Sequence, residues 1–434
     1  MSDYAAFLAT KARRHGEHGR PCIAADVSPH LHDWQREGVA WAVRKGRAAL
    51  WWSTGLGKSR AQIEWCRLSG DRALIVAPLA VCEQTAREAA RIGVAATYVR
   101  DDGDATGPGI WITNYEMVER FDPARLDAVV VDESSILKQS DGKTRTRLIQ
   151  HFAPTPNRLS CTATPAPNDP EELTNQAEFL GVMPRPEMLA AYFINDAKVK
   201  GYRLKGHAKL PLYRWLATWA MALRVPSDIG GDDAGYILPR LHIVPQVVSV
   251  EIDAREGELF RSDIGGVGGR AEVRRQTLAE RVSRAVELVK AESDEPWILW
   301  AGLNDEADAL AKALPGSVNV EGSWTPEDKA AAYLGFADGA IPYLITKPSM
   351  AALGLNFQHC ARMAFVGMND SWEMWFQAIR RCWRYGQARE VYVHAVVSQL
   401  ESQIVANVKR KGEQAERLTD GLIAAMREQW TPTR

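Results

Sequence analysis

A glycine-rich turn that follows a short apolar segment and ends in Lys-Ser contains the residue types that most directly suggest chemistry. Gly55 and Gly57 allow backbone N–H groups to turn toward phosphate oxygens. Lys58 can reach the β- and γ-phosphates of a nucleotide, and the Ser59 hydroxyl can ligate Mg²⁺. A helix that begins here would point its positive end at the same anion. Trp52 stands where the strict G-x-x-x-x-G-K-[ST] pattern has its first glycine, so a plain turn with a solvated lysine is the alternative.

An acidic pair follows the apolar run of residues 126–131 and supplies the second chemical signal. In a nucleotide hydrolase, Asp132 would hold Mg²⁺ and Glu133 would polarise the attacking water. Taken alone, the pair is equally well explained as a strand that ends in a solvated acidic turn. Its combination with Lys58 favours a nucleoside-triphosphate site.

Arginines cluster with a tryptophan and a tyrosine in residues 377–387. Arg381 and Arg384 are three positions apart, so a helix would place them on one face. The fixed guanidinium fork suits a γ-phosphate, and an arginine supplied to that phosphate can be worth ~10³–10⁵ in rate. A solvated helix end is the alternative interpretation.

Length and composition bound the class of protein. A chain of 434 residues is long enough for two or three domains. The net charge of −1 gives no whole-molecule attraction to nucleic acid, so such binding must come from local patches. Six scattered cysteines without a C-x-x-C pair favour reduced thiols over disulfides or zinc. With no run near ~20 apolar residues, we expect no membrane partner and a cytoplasmic location.

Strand and helix patterns alternate along residues 31–161 and again from about residue 271. This alternation predicts doubly wound parallel sheets, with sites at the carboxyl ends of the strands. Pro78, Asn114 and Tyr115 stand at such ends. Between the two regions, helical patterns are predicted at 171–180, 185–194 and 210–223, and a further helix is predicted at 371–385.

Three further positions could contact ligands. Gln35 precedes the glycine-rich turn, and its amide can both donate to and accept from an adenine edge. The loop 198–209 interleaves Lys200 and Arg203 with a tyrosine, which suits phosphate contacts, although a solvated loop explains it nearly as well.

The ordered set of segments resembles a superfamily-two helicase core, and in particular the Swi/Snf-type translocases that move on double-stranded DNA. The last segment matches Q-A-x-x-R-x-x-R-x-G-Q at every fixed position. The resemblance spans roughly residues 31–400, and part of the chain is similar to compact family members found in phage and prophage genomes. The segments that carry the resemblance are Gln35, residues 53–59, Asp132-Glu133, residues 162–165 with Asn168, residues 354–358 and residues 377–387.

The resemblance implies two RecA-like α/β lobes that hold ATP and Mg²⁺ between them and bind double-stranded DNA. The implied domains are lobe one at 31–184, a helical insertion and linker at 185–250 and lobe two at 251–400. The residues themselves predict a basic, mobile lead-in at 1–30 and an amphipathic terminal helix at 401–434 that packs back on a lobe. The implied catalytic residues are Lys58, Asp132, Glu133, Arg381 and Arg384, with Ser59 and Asp132 as metal ligands. The implied nucleotide contacts are Gln35, Thr54, Gly55, Leu56, Gly57, Lys58, Ser59 and Gly354, and the candidate nucleic-acid contacts are Pro78, Asn114, Tyr115, Lys200, Arg203 and Lys347.

Two other functions stay open, and one departure from the family pattern favours the second of them. Ser134 and Ser135 replace the Ala-His pair that usually follows the acidic pair, and that histidine helps link hydrolysis to the other lobe. One alternative is a helicase that unwinds RNA or branched DNA. The other is a nucleotide-gated DNA-binding module without productive translocation.

Overall fold

The structure is a computed structural model, and it describes residues 16–138, 142–196, 201–249, 275–353, 356–367, 371–399 and 402–430. The chain forms two compact units. The first contains Met1–Tyr236 together with Glu413–Arg434, and the second contains Ile237–Gly412.

The first unit is built on a seven-stranded sheet in which every neighbouring pair of strands is parallel. The strands are β1 (Arg47–Trp52), β2 (Arg72–Ala77), β3 (Ala96–Tyr98), β4 (Gly109–Asn114), β5 (Ala128–Asp132), β6 (Asn157–Cys161) and β9 (Ala220–Leu223), and an antiparallel hairpin of β7 (Phe193–Asp196) and β8 (Gly201–Leu204) lies apart from the sheet. The order of the strands in the sheet is β3-β4-β2-β5-β6-β1-β9. Strands β1, β2, β5, β6 and β9 are buried at nearly every position because helices cover a parallel sheet on both faces. The helices are α1 (Asp33–Lys45), α2 (Lys58–Ser69), α3 (Leu79–Arg91), α4 (Lys143–His151), α5 (Leu173–Leu180), α6 (Arg185–Tyr192) and α7 (Lys209–Leu216).

The register of this sheet determines where its loops meet. Leu50 of β1 and Asp132 of β5 both pair with Cys161, so β6 separates the other two strands. The carboxyl ends of all three strands lie at one edge. The loop after β1 and the acidic pair after β5 are therefore two strand spacings apart, roughly 10 Å.

The second unit contains a six-stranded sheet in the order β10-β15-β14-β11-β13-β12, again parallel throughout. Separate apolar clusters cover its two faces. The strands are β10 (Leu241–Val248), β11 (Trp297–Ala301), β12 (Ser317–Asn319), β13 (Tyr343–Thr346), β14 (Arg362–Val366) and β15 (Val391–Ser398). The helices are α8 (Leu278–Ala291), α9 (Asn304–Ala313), α10 (Pro326–Ala337), α11 (Trp372–Ile379) and α12 (Ser402–Gln429), and α12 runs on into the first unit from residue 413.

The prediction of two α/β lobes with parallel sheets is confirmed, whereas the region between them differs from the sequence expectation. Residues 210–223 were expected to be helical, but Ala220–Leu223 form β9 and pair with β1. All four residues of β9 are buried, and an apolar run this short carries no helical or strand period of its own. The first unit therefore continues to Tyr236 instead of ending at residue 184.

The N-terminal end of the described chain also differs from the expectation. Cys22 and Val27 are buried in the core of the first unit, although residues 1–30 were expected to be a mobile lead-in. The sequence does not show this because both residues pack against residues far away in the chain. At the other end, Leu418, Leu422 and Met426 of the terminal helix α12 join the same core. Among the residues that the structure describes, no helix is both long and apolar enough to cross a membrane.

We expect the buried ion pair of the second unit to be sensitive to the loss of one partner. Arg281 and Glu306 are both fully buried, with 2.6 Å between Nη1 and Oε1. Glu306 also accepts the N–H groups of Gly302 and Leu303. Replacing Glu306 with leucine should lower the free energy of unfolding by about 3–5 kcal/mol in urea denaturation, because an uncompensated charge stays buried.

Replacing both members of the pair, Arg281→Leu with Glu306→Leu, should cost less than the single change. The surface carboxylate of Glu287, which pairs with Arg284, is the matched control, and its loss should cost at most about 1 kcal/mol. A single and a double variant of equal stability would contradict this account of the pair.

Candidate nucleotide site

The loop between β1 and α2 has the backbone that an anion-binding turn requires. Gly55 and Gly57 have φ values of 89° and 80°, which residues with a Cβ rarely adopt. Lys58 begins α2, and its Nζ donates to the carbonyl oxygens of Trp52 at 2.9 Å and Ser53 at 3.4 Å. The N–H groups of a first helical turn have no acceptor within the helix. The loop therefore places a positive charge beside backbone donors that can bind an anion.

Gln35 of α1 holds this loop in place. Its side chain is 4% exposed, its Oε1 accepts the N–H of His32 at 2.9 Å, and its Nε2 donates to Leu56 O at 2.9 Å. A Cβ added to Gly57 would collide with the same Nε2. The predicted base-reading residue is thus buried with both atoms of its amide bonded internally, so the geometry favours a role in holding the glycine-rich loop over contact with an adenine edge.

The acidic pair lies at the end of β5. Asp132 is 8% exposed, and burial raises the pKa of its carboxyl. The side-chain amide of Gln62, the Lys58 ammonium and the N–H of Glu133 oppose that rise in pKa because each favours the charged form. Lys58 and Asp132 are thus electrostatically coupled at the same edge of the sheet.

The residues at this edge fit a nucleotide with Mg²⁺. Ser59 and Asp132 offer the oxygen ligands that Mg²⁺ prefers, and Mg²⁺ usually takes its other ligands from water and substrate phosphates. Among the described residues, no group of three or more His, Cys, Asp and Glu side chains could hold a metal ion by itself. The buried Thr54 Oγ1 makes no hydrogen bond with the described part of the chain, so it can accept one from a ligand.

The arginines of the second unit lie in a turn, not in a helix. Helix α11 ends at Ile379, short of the predicted residue 385, because the following carbonyls are bound from outside the helix. The N–H of Phe357 donates to Arg381 O at 2.8 Å, and Gln358 Nε2 donates to Tyr385 O at 2.8 Å. Gln387 Nε2 donates to the carbonyls of residues 360 and 382. These bonds fix the backbone that carries both arginines.

Arg384 is held as a partly buried cation. Burial, together with the neighbouring Arg381 charge, lowers the pKa of its guanidinium to about 10. The group nevertheless stays charged at neutral pH. Its buried Nε makes no hydrogen bond with the described residues. A partly buried positive charge in this state favours an anionic partner.

Two of the candidate nucleic-acid contacts, Asn114 and Tyr115, are buried. Asn114 is 2% exposed, its Nδ2 donates to Tyr98 Oη at 3.1 Å, and its Oδ1 accepts the N–H of Glu116. Tyr115 is 8% exposed and donates to the carbonyl oxygen of Asp132. Because both side chains are buried and bonded internally, the geometry does not favour them as contacts to nucleic acid.

The remaining candidates lie nearer the surface or outside the description. Pro78 is partly buried and immediately precedes α3. Arg203 pairs with Asp196 at 3.0 Å, and Lys347 Nζ donates to Asn304 Oδ1. Lys200 and Gly354 lie outside the described residues.

Sequence reasoning missed Gln62, which lies beside Asp132, and Glu172, which binds Asn168. Gln62 lies one helical turn after Lys58, a spacing that could have identified it as a neighbour of the loop. Glu172 accepts both the N–H and the side-chain amide of Asn168, at 3.1 and 2.9 Å. Burial raises the pKa of Glu172 to about 7.

We expect Glu172 to make stability depend on pH. A carboxyl whose pKa rises on folding binds its proton more tightly in the folded chain, so its favourable contribution decreases as pH rises from about 4.5 to about 7. The Glu172→Gln variant lacks this titration. Its melting temperature relative to the natural chain should therefore increase between pH 5 and pH 8.

The control is Glu83→Gln, which changes a surface carboxylate of the same unit. Its melting temperature should follow that of the natural chain across the same range. A pH-independent difference for Glu172→Gln would contradict the assignment.

Comparison with known proteins gives a likeness among solved structures only. No protein-family model and no curated protein matches the chain. Among solved structures, the chain is similar to the Sulfolobus solfataricus SWI2/SNF2 ATPase core in complex with dsDNA, with 15% sequence identity, a TM-score of 0.44, and coverage of 93% of this chain and 96% of that one. Because the TM-score is below 0.5, the assignments above depend on the residues and sheet topology of the chain itself.

Proposed function

We propose that the chain is an ATP-dependent translocase that moves on double-stranded DNA. The observation that carries the proposal is the strand register that brings the loop after β1, which has the backbone of an anion-binding turn, and the acidic pair after β5 to one edge of a parallel sheet. The sequence resemblance to Swi/Snf-type translocases supplies the substrate class. The presence of Arg381 and Arg384 in a turn of a second parallel-sheet unit, with its backbone fixed by hydrogen bonds, supports hydrolysis over simple binding.

Each residue has a distinct role in this proposal. Lys58 and Ser59 bind phosphate oxygens and the metal, and Asp132 binds the metal. Glu133 orients the attacking water. Arg381 and Arg384 stabilise the charge that develops on the γ-phosphate. When bound, Mg²⁺ would neutralise phosphate charge.

One observation favours the rival function of a nucleotide-gated DNA-binding module. Ser135, where the family has its histidine, is 6% exposed, and Ser134 is fully buried with its carbonyl bound by Gln176 Nε2 at 2.9 Å. The serine hydroxyl at position 135 reaches less far from the backbone than the imidazole of a histidine would. Coupling between ATP hydrolysis and movement would therefore be weak. The intact Glu133 and both arginines support catalysis instead.

Removing the loop lysine should abolish ATP turnover. Lys58→Ala deletes the charge beside the phosphate-binding N–H groups, so both nucleotide affinity and phosphate release should be lost. Steady-state phosphate release and binding of a fluorescent nucleotide measure the two effects. The control is Lys45→Ala at the C-terminal end of α1, which should retain both nucleotide affinity and phosphate release. Turnover within about two-fold of the natural chain would contradict a catalytic role for Lys58.

Removing the Arg384 side chain should affect the rate of ATP hydrolysis but not the affinity for the nucleotide. Arg384→Ala should lower the turnover number by on the order of 10³ while nucleotide affinity stays nearly unchanged, because the charge acts on the transition state. The control is Arg389→Ala, which removes a surface cation of the same turn that pairs with Glu295. An equal loss in the two arginine variants would show that the turn is merely structural.

A further inference from the structure

Among the described residues, Glu133 is the one non-glycine residue with a positive φ, which is 51°. Residues with a Cβ other than asparagine and aspartate rarely adopt the left-handed region, so their surroundings must hold them there. This conformation falls on the residue proposed to orient the attacking water. What holds the backbone of Glu133 therefore bears directly on the reaction.

The peptide group between Asp132 and Glu133 is bound at both of its polar atoms. Its N–H donates to Asp132 Oδ1 at 3.1 Å, and its carbonyl oxygen accepts the hydroxyl of Tyr115. The φ angle of Glu133 is the torsion about its N–Cα bond, measured relative to this peptide group. Hydrogen bonds to both the N–H and the carbonyl oxygen hold the plane of the peptide group in one orientation.

Tyr115 is itself held firmly enough to act in this way. Its side chain is 8% exposed, and its backbone carbonyl accepts Arg147 Nη2 at 2.9 Å. Its hydroxyl also lies 3.5 Å from Glu133 O, so it contacts the carbonyls on both sides of the left-handed residue. Of the two hydrogen bonds to this peptide group, the one from Tyr115 does not involve the Asp132 carboxylate, which the proposed function assigns to the metal.

We infer that Tyr115 is a positioning residue for ATP hydrolysis, an inference that rests on the proposed function. Its hydroxyl keeps Glu133 in the left-handed conformation and thereby sets the direction of the Glu133 side chain. Tyr115 was a candidate contact to nucleic acid, and its burial and internal bonds reassign it to the acidic pair. It touches neither substrate nor water in this role.

The test compares two tyrosine-to-phenylalanine variants of the full chain. Tyr115→Phe removes one hydroxyl and keeps the ring in the core. Tyr98→Phe is the matched control, because its hydroxyl binds Asn114, the residue next to Tyr115. We expect Tyr115→Phe to lower kcat at least ~10-fold with little change in KM or nucleotide affinity, since an oriented base contributes ~10²–10⁴ in rate. Tyr98→Phe should leave kcat within about two-fold.

A double-mutant cycle tests whether Tyr115 acts through Glu133. In a Glu133→Gln background, Tyr115→Phe should change the residual turnover by less than about two-fold, because the group that it positions is already disabled. An undiminished loss in that background, or an unchanged kcat in the single variant, would overturn the inference. A parallel loss of stability and nucleotide affinity would assign Tyr115 to the core alone.

A crystal structure of Tyr115→Phe separates this inference from the proposed function. A negative φ at Glu133 is expected once the hydroxyl is gone, and a φ that stays positive overturns the inference. This outcome does not depend on turnover. If the natural chain hydrolyses no ATP, the proposed function fails, while the backbone of residue 133 still decides the role of Tyr115.

Discussion

The parallel sheet of the first unit imposes the constraint on which the whole site depends. All of its strands end at one edge, so the segments that follow β1 and β5 lie at the same edge although about 80 residues, from Trp52 to Asp132, separate them along the chain. Helices cover both faces, which buries Asp132 and raises the pKa of its carboxyl. The Lys58 ammonium favours the charged form of that carboxyl. The fold therefore holds two opposite charges at one edge of the sheet, where a third, anionic partner can bind.

A common device fixes each reactive segment in both units. A side chain or N–H group from a neighbouring segment binds the backbone carbonyls of the segment that carries the charge. Gln35 binds the carbonyl of Leu56 in the glycine-rich loop, and Tyr115 binds the carbonyl of Asp132. Gln358 and Gln387 do the same for the arginine turn. The backbone of each reactive segment is therefore held in place by hydrogen bonds to its carbonyl groups.

The sequence predicts the sheets well because their strands are long apolar runs followed by recognisable turns. It misses β9 because four buried apolar residues carry no period, and their pairing with β1 is decided by tertiary contacts. It places Asn114 and Tyr115 correctly at the end of β4, but strand position does not reveal which way a side chain points. The left-handed Glu133 has no sequence signal at all, since glutamate is not a residue that favours this conformation. Site chemistry is thus predictable from residue type and spacing, whereas orientation requires the fold.

Steady-state phosphate release measured with and without nucleic acid tests the central claim most directly. The natural chain should release phosphate slowly alone and much faster with duplex DNA, and less so with single-stranded DNA, branched DNA or duplex RNA. Equal or greater stimulation by RNA or branched DNA would favour the unwinding helicase. Tight DNA binding without phosphate release on any substrate would contradict the account and leave a nucleotide-gated binding module.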